Sequence, residues 1–404
     1  MIAHHSGCRH RARVAVLGCG VVGSEVVRQV LARGDELGLE VARVLVRDPH
    51  RPREVPRELL TADAEEVFAA APDVVVEAIG GVEPAGRLVE RALRAGIAVV
   101  SANKTLLAHR GPALRRLSGA SGAPLACEAA VGSAVPVLAA LRQLAGDRVL
   151  SLRAVVNGTC NFILTRMESG LGMDAALREA QERGLAEADP SADLSGRDSA
   201  EKLCILGSAA GLAELTPDAV PTRGIEGVCP DDLAEARRAG RCLRLVAELE
   251  AGVPGLFARV GPALVPRAHP LASLHGEENG VLLRCELAGD LFLRGPGAGP
   301  RPTASAILGD VLRVLGRARA ERGEGRRSAT SPVRDQRIRV RGPRASCPAR
   351  MLGALRERAL EPLDLTLTRH GSTLGVRSRD GCAVALGVAL ATEGGESLVT
   401  PVLE

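Results

Sequence analysis

The sequence predicts an α/β protein built on a doubly wound parallel sheet. Three observations carry that prediction. A G-x-G-x-x-G run, Gly18 to Gly23, lies between a short apolar segment and a helical pattern. Short apolar runs then alternate with helix-length amphipathic ones through the first hundred or so residues. The chain has 404 residues, 46% of them hydrophobic, enough for two or three domains with cores of their own.

The elements follow in order. Residues 1–11 are polar and basic, with no apolar stretch behind them, and read as a loose tail rather than a signal peptide or anchor. Arg13–Leu17 reads as a buried strand. In Gly18-Cys19-Gly20-Val21-Val22-Gly23, Gly18 permits a tight turn, Gly20 lets the backbone approach a pyrophosphate, and Gly23 lets the helix pack on the strand. The helix Ser24–Ala32 then offers free N–H groups to that anion. A glycine-rich turn without function is the competing reading. A second strand, Glu40–Val46, ends in Arg47-Asp48. Arginine at this tip suits the 2′-phosphate of NADP, and Asp48 leaves NAD open. Asp73–Ala78 is a third strand ending at Gly80-Gly81, Pro84–Ala95 a helix, and Ile97–Val100 a fourth strand. Ligands sit at the carboxyl ends of such strands, where Ser101-Ala102-Asn103-Lys104 follows directly.

Lys104 stands out by composition. Of 52 basic residues only Lys104 and Lys202 are lysines. Arginine keeps its charge at any working pH, whereas a lysine ammonium can give up a proton. Lys202 closes the segment Gly184 to Lys202, which holds Glu187, Asp189, Asp193 and Asp198 in a loop and then a helix start. Asp198 and Lys202 are i and i+4 and share a helix face. An exposed ion pair is the plain reading. The apolar Leu203, Ile205 and Leu206 favour a buried acid/base and amine-binding group instead. Upstream, Asn157-Gly158-Thr159 ends a strand and opens a helix, placing backbone N–H groups and a hydroxyl for a carboxylate. Glu128 to Pro136 is a turn-rich stretch whose carbonyls, with Glu128, could hold a hard cation, although from the residues alone a plain strand-to-helix loop is the better reading.

The rest of the composition excludes other classes. A net charge of +4, with aromatics at 1%, gives no basic stretch with stacking residues for nucleic acid. Ten scattered cysteines without a C-x-x-C pair suggest neither a disulfide framework nor a zinc site, and point to the reducing cytoplasm. No apolar run reaches membrane-span length.

Taken together, VAVLGCGVVGSEVV, VLVRD, DVVVEAIGGVEPA, SANKTLLA, CEAAVGSAVP, NGTCNFIL, GLAEADPSADLSGRDSAEKL, AHPLAS, EENGV and GPGAGPRPTASAILGDV resemble the homoserine dehydrogenase family in order and spacing, over residues 12–330. The resemblance implies a Rossmann-type NAD(P)-binding domain at 12–135 plus 300–330, with an inserted α+β substrate and dimerisation domain at 136–299. It implies interconversion of L-aspartate 4-semialdehyde and L-homoserine with NADP(H), or NAD(H), in a homodimer or homotetramer. Lys202 matches the family's general acid/base, and Lys104 the lysine beside the nicotinamide and substrate oxygen. Asp198, Glu187, Gly184, Asp193 and Thr159 match substrate-binding positions. Gly18, Cys19, Gly20, Val21, Val22, Gly23, Arg47, Gly80, Lys104 and Gly299 match cofactor contacts. Glu128 with the carbonyls of Val131, Ser133 and Val135 matches a monovalent cation site, such as one for sodium. The chain departs from the family at Phe162, usually Tyr, at Cys160, usually Thr, at Arg244, expected Lys, and in the reduced glycine turn Gly132-Ser133-Ala134.

After a linker at Arg317–Gln336, the tail at 337–404 reads as strand Arg337–Arg341, helix Pro348–Leu360, strand Leu363–Thr368 and an apolar stretch Cys382–Leu390. This is similar to a shortened ACT unit that ends before its last helix and strand. It leaves effector sensing, dimerisation and a remnant as alternatives. Two other functions stay open beside the main one: a dehydrogenase of a related semialdehyde or amino alcohol, and a catalytically silent NADP-binding regulator. The two retained lysines argue against the silent regulator.

Overall fold

The structure is a computed structural model. It describes residues 11–252 and 255–316, and beyond them the strands 334–341, 361–368, 371–378 and 396–401. Most of the tail, most of the linker at 317–336, the segment Pro348–Leu360 and the stretch Cys382–Leu390 therefore lie outside the described residues.

The first sheet is wholly parallel. Its strands are β1 (Ala12–Leu17), β2 (Leu39–Leu45), β3 (Leu60–Thr61), β4 (Val74–Glu77), β5 (Ala98–Ser101) and β6 (Leu125–Ala126). They lie in the order β3-β2-β1-β4-β5-β6, so the winding reverses between β1 and β4. Val14 to Leu17, Val74 to Val76 and Val99 to Val100 are fully shielded from solvent. Continuous apolar runs of this kind suit strands covered on both faces. The covers are α1 (Val21–Leu37), α2 (Ala64–Ala69), α3 (Ala85–Arg94) and α4 (Lys104–Ser121). Helix α3 buries Ala85, Val89, Ala92 and Leu93 and turns Arg87, Arg91 and Arg94 away from that core. Asp63 caps α2 and Asn103 caps α4, each side chain accepting a backbone N–H. From the sequence, Ile97–Val100 counts as the fourth strand. It is the fifth, because the two-residue β3 shows no periodicity to reveal it.

The second sheet is antiparallel, in the order β11-β10-β7-β8-β9. After α5 (Val137–Gln143) come β7 (Val149–Val155), α6 (Gly158–Glu168), α7 (Met173–Glu182), α8 (Ser191–Leu194), α9 (Arg197–Ala209) and α10 (Pro230–Arg238). Then follow β8 (Arg241–Gly252), β9 (Gly255–Pro266), β10 (Glu278–Cys285) and β11 (Gly289–Pro296). Leu152, Ala154, Ile163, Leu164, Leu203, Leu206, Leu245, Leu249 and Leu283 form the core between this sheet and its helices. The last helix among the described residues, α11 (Pro300–Val314), returns to the first sheet. Its Ala304, Ile307, Leu308 and Val311 share a core with Val14, Val16 and Val26.

The C-terminal unit, considered on its own, contains a four-stranded antiparallel sheet: β12 (Arg334–Arg341), β13 (Glu361–Thr368), β14 (Gly371–Ser378) and β15 (Glu396–Pro401), ordered β13-β14-β12-β15. Arg334–Gln336, which the sequence assigns to the linker, belong to β12. Strands β14 and β15 were not placed from the sequence, since glycine, serine and arginine break the apolar alternation of Gly371–Ser378.

The turn after β1 distinguishes its glycines. At Gly18, φ is 95° and an added Cβ would stand 2.6 Å from the carbonyl oxygen of Ala78; at Gly20 it would meet nothing within 4 Å. Gly18→Ala is therefore expected to destabilise the fold by about 1–3 kcal/mol, whereas Gly20→Ala leaves the melting temperature near that of the parent and weakens dinucleotide binding. Thermal melts with and without NADPH check both. Equal melting losses for the two variants would contradict this account of the turn.

Candidate active site

Three segments bring the polar residues together. Strand β7 ends at Val155, and the next residues, Val156 and Asn157, lead into α6. Asn157 is the N-cap, its Oδ1 accepting the N–H of Cys160 at 2.8 Å. Helix α9 carries Asp198 in its first turn and Lys202 one turn later. Helix α4 begins at Lys104.

The centre of the cluster is Asp198, 2% exposed. Lys202 Nζ donates to its Oδ2 at 2.8 Å, and Lys104 Nζ lies 2.7 Å from its Oδ1. Lys202 is 13% exposed and also donates to the carbonyl of Val156 at 2.7 Å. Asn157 Nδ2 donates to Asp198 Oδ2 at 2.8 Å and to Asp193 Oδ1 at 2.7 Å. Burial pushes the Asp198 carboxyl up, but the two ammonium charges and their hydrogen bonds outweigh it and bring it down to about 2. Asp193 moves the other way: burial raises it, and the charge of Asp198 raises it further. Burial lowers Lys104, and Asp198 more than reverses that, for a net rise. A second contact, Thr105 Oγ1 to Glu201 Oε2 at 3.0 Å, joins α4 to α9 beside the first.

The remaining substrate-binding candidates stand around this cluster. Thr159 Oγ1 donates to the Leu185 carbonyl at 2.8 Å and so holds the loop containing Gly184, whose φ is 70°. Glu187 is exposed in that loop, and among the described residues its carboxylate has neither hydrogen bond nor ion pair. The structure therefore gathers Asp198, Asp193, Lys104 and Lys202 and leaves Glu187 outside their contacts.

The dinucleotide candidates lie at the reversal of the sheet. Ser24 N–H makes the first bond of α1, to the Gly20 carbonyl at 2.9 Å. The N–H groups of Val21, Val22 and Gly23 have no acceptor within the helix. Cys19 Sγ lies 3.2 Å from Ser24 Oγ. The open space at Gly20 and the left-handed turn at Gly18 fit a pyrophosphate. Arg47 is exposed and makes no ion pair among the described residues, while Asp48 spends one carboxylate oxygen on the His50 N–H at 2.8 Å. Gly80 has a φ of 86° and Gly299 a φ of 119°. Gly299 caps α11, where Thr303 Oγ1 donates to its carbonyl at 2.8 Å.

The cation candidates fit less well. The Glu128 carboxylate accepts the Leu138 N–H at 2.7 Å and pairs with Arg142 at 3.1 Å. Val135 accepts the Val137 N–H at 2.8 Å, and Ser133 Oγ lies 3.0 Å from Thr303 Oγ1. With a guanidinium and an N–H already on it, the Glu128 side chain does not fit a cation ligand, which leaves only backbone carbonyls, those of Val131 and Ser133 foremost. No cluster of three or more His, Cys, Asp or Glu residues among the described residues suits a metal.

Sequence reasoning missed Val156, whose contribution is a backbone carbonyl. It also missed Asn157 Nδ2, since an N-cap pattern reveals the capping oxygen and says nothing of the amide nitrogen.

Comparisons with known proteins agree along the chain. The family model described as homoserine dehydrogenase, NAD binding domain, matches residues 18–128, and that described as homoserine dehydrogenase matches 136–312. The homoserine dehydrogenase of Corynebacterium glutamicum is 44% identical over 314 residues, 74% of this chain and 71% of its own. That of Mycobacterium tuberculosis is 38% identical over 392 residues, 94% and 83% of the two chains. Among solved structures, a homoserine dehydrogenase from Thiobacillus denitrificans matches with a TM-score of 0.72 and 28% identity over 98% of each chain. A hyperthermophilic archaeal homoserine dehydrogenase in complex with NADPH matches with a TM-score of 0.64 and 26% identity, over 76% of this chain and 98% of that one.

The depressed Asp198 carboxyl links stability to pH. A group held below its ordinary 3.8 adds stability above that value and loses it as pH falls toward about 2, here on the order of 2 kcal/mol. Urea unfolding of the parent and Asp198→Asn across that window is expected to show the parent losing this increment and the variant lacking it. Parallel curves would contradict the placement of the charge.

Proposed function

The chain belongs to the homoserine dehydrogenase family, and from that membership we propose which of its side chains run the reaction. The enzyme is an oxidoreductase that interconverts L-homoserine and L-aspartate 4-semialdehyde. Its cofactor is NAD(P), which when bound gives or takes the hydride.

Lys202 is the general acid and base. In reduction its ammonium gives a proton to the aldehyde oxygen as that oxygen becomes a hydroxyl; in oxidation its neutral amine takes the hydroxyl proton back. Val156 and Asp198 hold Nζ in place for that transfer. Lys104, 41% exposed, keeps its positive charge on Asp198 and faces the oxygen as a second donor. Asp198 and Asp193 supply negative charge for the substrate ammonium, with Glu187 reaching it from the loop that Thr159 and Gly184 shape. The single observation that carries this reading is the one buried carboxylate with a different lysine on each oxygen.

Cofactor contacts fall to Gly18, Cys19, Gly20, Val21, Val22, Gly23, Gly80, Lys104 and Gly299. Arg47 selects NADP: its guanidinium is free for a phosphate, and Asp48 is partly engaged with its own turn. The neighbouring archaeal enzyme solved with NADPH supports that preference. No step runs through a monovalent cation. Residues 12–135 with 300–330 are assigned to the dinucleotide and 136–299 to the substrate, although Leu107, Ala108, Ala130 and Val131 pack into the second core and 317–330 lie outside the described residues. Leu256 and Leu264, exposed on one face of β9, support a reading in which the second sheet makes the contact of a homodimer or homotetramer. Among the described residues no helix is long and apolar enough to cross a membrane, in keeping with a cytoplasmic enzyme.

Lys202→Arg tests the assignment, because it keeps the charge and removes the titratable amine. NADP-linked oxidation of L-homoserine, followed by absorbance, is expected in the parent and lowered by about 100-fold or more in the variant. A variant as active as the parent would reject Lys202 as the proton-transfer group.

A further inference from the structure

Glu77 ends β4 where the strand order reverses, and its side chain has no exposure at all. Among the described residues no lysine or arginine pairs with it. Strand β4 is otherwise all valine, so packing alone would favour another apolar residue here. A buried carboxylate without a cation is costly unless its oxygens are satisfied. Those of Glu77 are, by donors from two different segments. Oε1 accepts the N–H of Ile79 at 2.9 Å, the N–H of Gly80 at 3.4 Å and Asn103 Nδ2 at 3.2 Å. Oε2 accepts Ser101 Oγ at 2.6 Å.

These donors belong to the loops that meet at the dinucleotide crevice. Asn103 also donates to the Gly81 carbonyl at 2.6 Å and caps α4 through Leu106 N–H at 3.0 Å. The next residue is Lys104. On the other side, the Ala78 carbonyl that Glu77 precedes is the atom against which Gly18 leaves no room for a Cβ. One carboxylate thus ties the loop after β4 to the head of α4, beside the turn after β1.

We propose that Glu77 is a positioning residue for the reaction: it holds the Ile79–Gly81 segment and the start of α4 at one spacing, and so sets Lys104 against the bound dinucleotide. The proposal rests on the part given to Lys104 above.

Glu77→Gln keeps the size of the side chain and replaces one acceptor oxygen by a donor. In the full-length protein, NADPH affinity is read by fluorescence titration. The kcat for L-homoserine is read in the parent, Glu77→Gln, Lys104→Ala and the double variant. The expected pattern is NADPH binding weakened about tenfold, kcat lowered about tenfold by Glu77→Gln in the parent, and less than about threefold in Lys104→Ala. An equal loss of kcat in both backgrounds, as a general loosening would give, or unchanged affinity and kcat, overturns the proposal. A Lys104→Ala protein as active as the parent rejects the part given to Lys104, and with it the claim that Glu77 acts through that residue. The loop claim is then decided by NADPH affinity alone, which must fall. If Glu77→Gln does not fold, Ser101→Ala removes the 2.6 Å donor alone and must show the same split on a smaller scale.

Discussion

Asp198 holds a full negative charge with 2% of its side chain exposed, between two ammonium groups 2.7 and 2.8 Å away. Left alone at that depth, the carboxylate would lose several kcal/mol of hydration. Lys202, Lys104 and the Asn157 amide offset that loss, and each does so from a different element. A planar guanidinium would spread its charge over a wider fork and could not place a single Nζ on one oxygen while reaching a backbone carbonyl with the same atom. In a chain that otherwise uses arginine for nearly every basic residue, that geometry accounts for lysine at position 202.

The same contact also joins the two halves of the chemistry. Lys104 heads a helix of the parallel sheet, on the side where the proposed mechanism exchanges the hydride. Lys202 and Asp198 lie on a helix in the second core, on the side that the proposed mechanism gives to the amino-acid substrate. Thr105 and Glu201 repeat the connection one residue further along α4 and three residues further along α9. Because Asp198 and Lys202 are largely shielded, their pair is weakly screened and holds its spacing better than a surface pair would.

Much of this was legible in the sequence wherever the physics is local. The turn at Gly18 to Gly23 follows from backbone requirements within six residues, and Asp198 with Lys202 follows from helix periodicity. Lys104 could be paired with them only by composition and resemblance, since it is distant in sequence. Other features depend on tertiary placement that no spacing encodes. The Glu128 carboxylate looks like a cation ligand until Arg142 and the Leu138 N–H are seen on it. Glu187 looks equivalent to Asp198 until the loop leaves it in solvent. The two-residue strand Leu60–Thr61 is too short to carry a pattern, and the amide of Asn157 has no signature beyond its cap.

The most direct test of this account is the rate of hydride transfer in Asp198→Asn, measured by stopped-flow in a single turnover with saturating NADPH and L-aspartate 4-semialdehyde. The account predicts NADPH affinity within about threefold of the parent and hydride transfer slowed by about a hundredfold or more, because neither lysine is then held by charge. Transfer at the parent rate, with affinity unchanged, would show that the buried carboxylate does not organise the reaction.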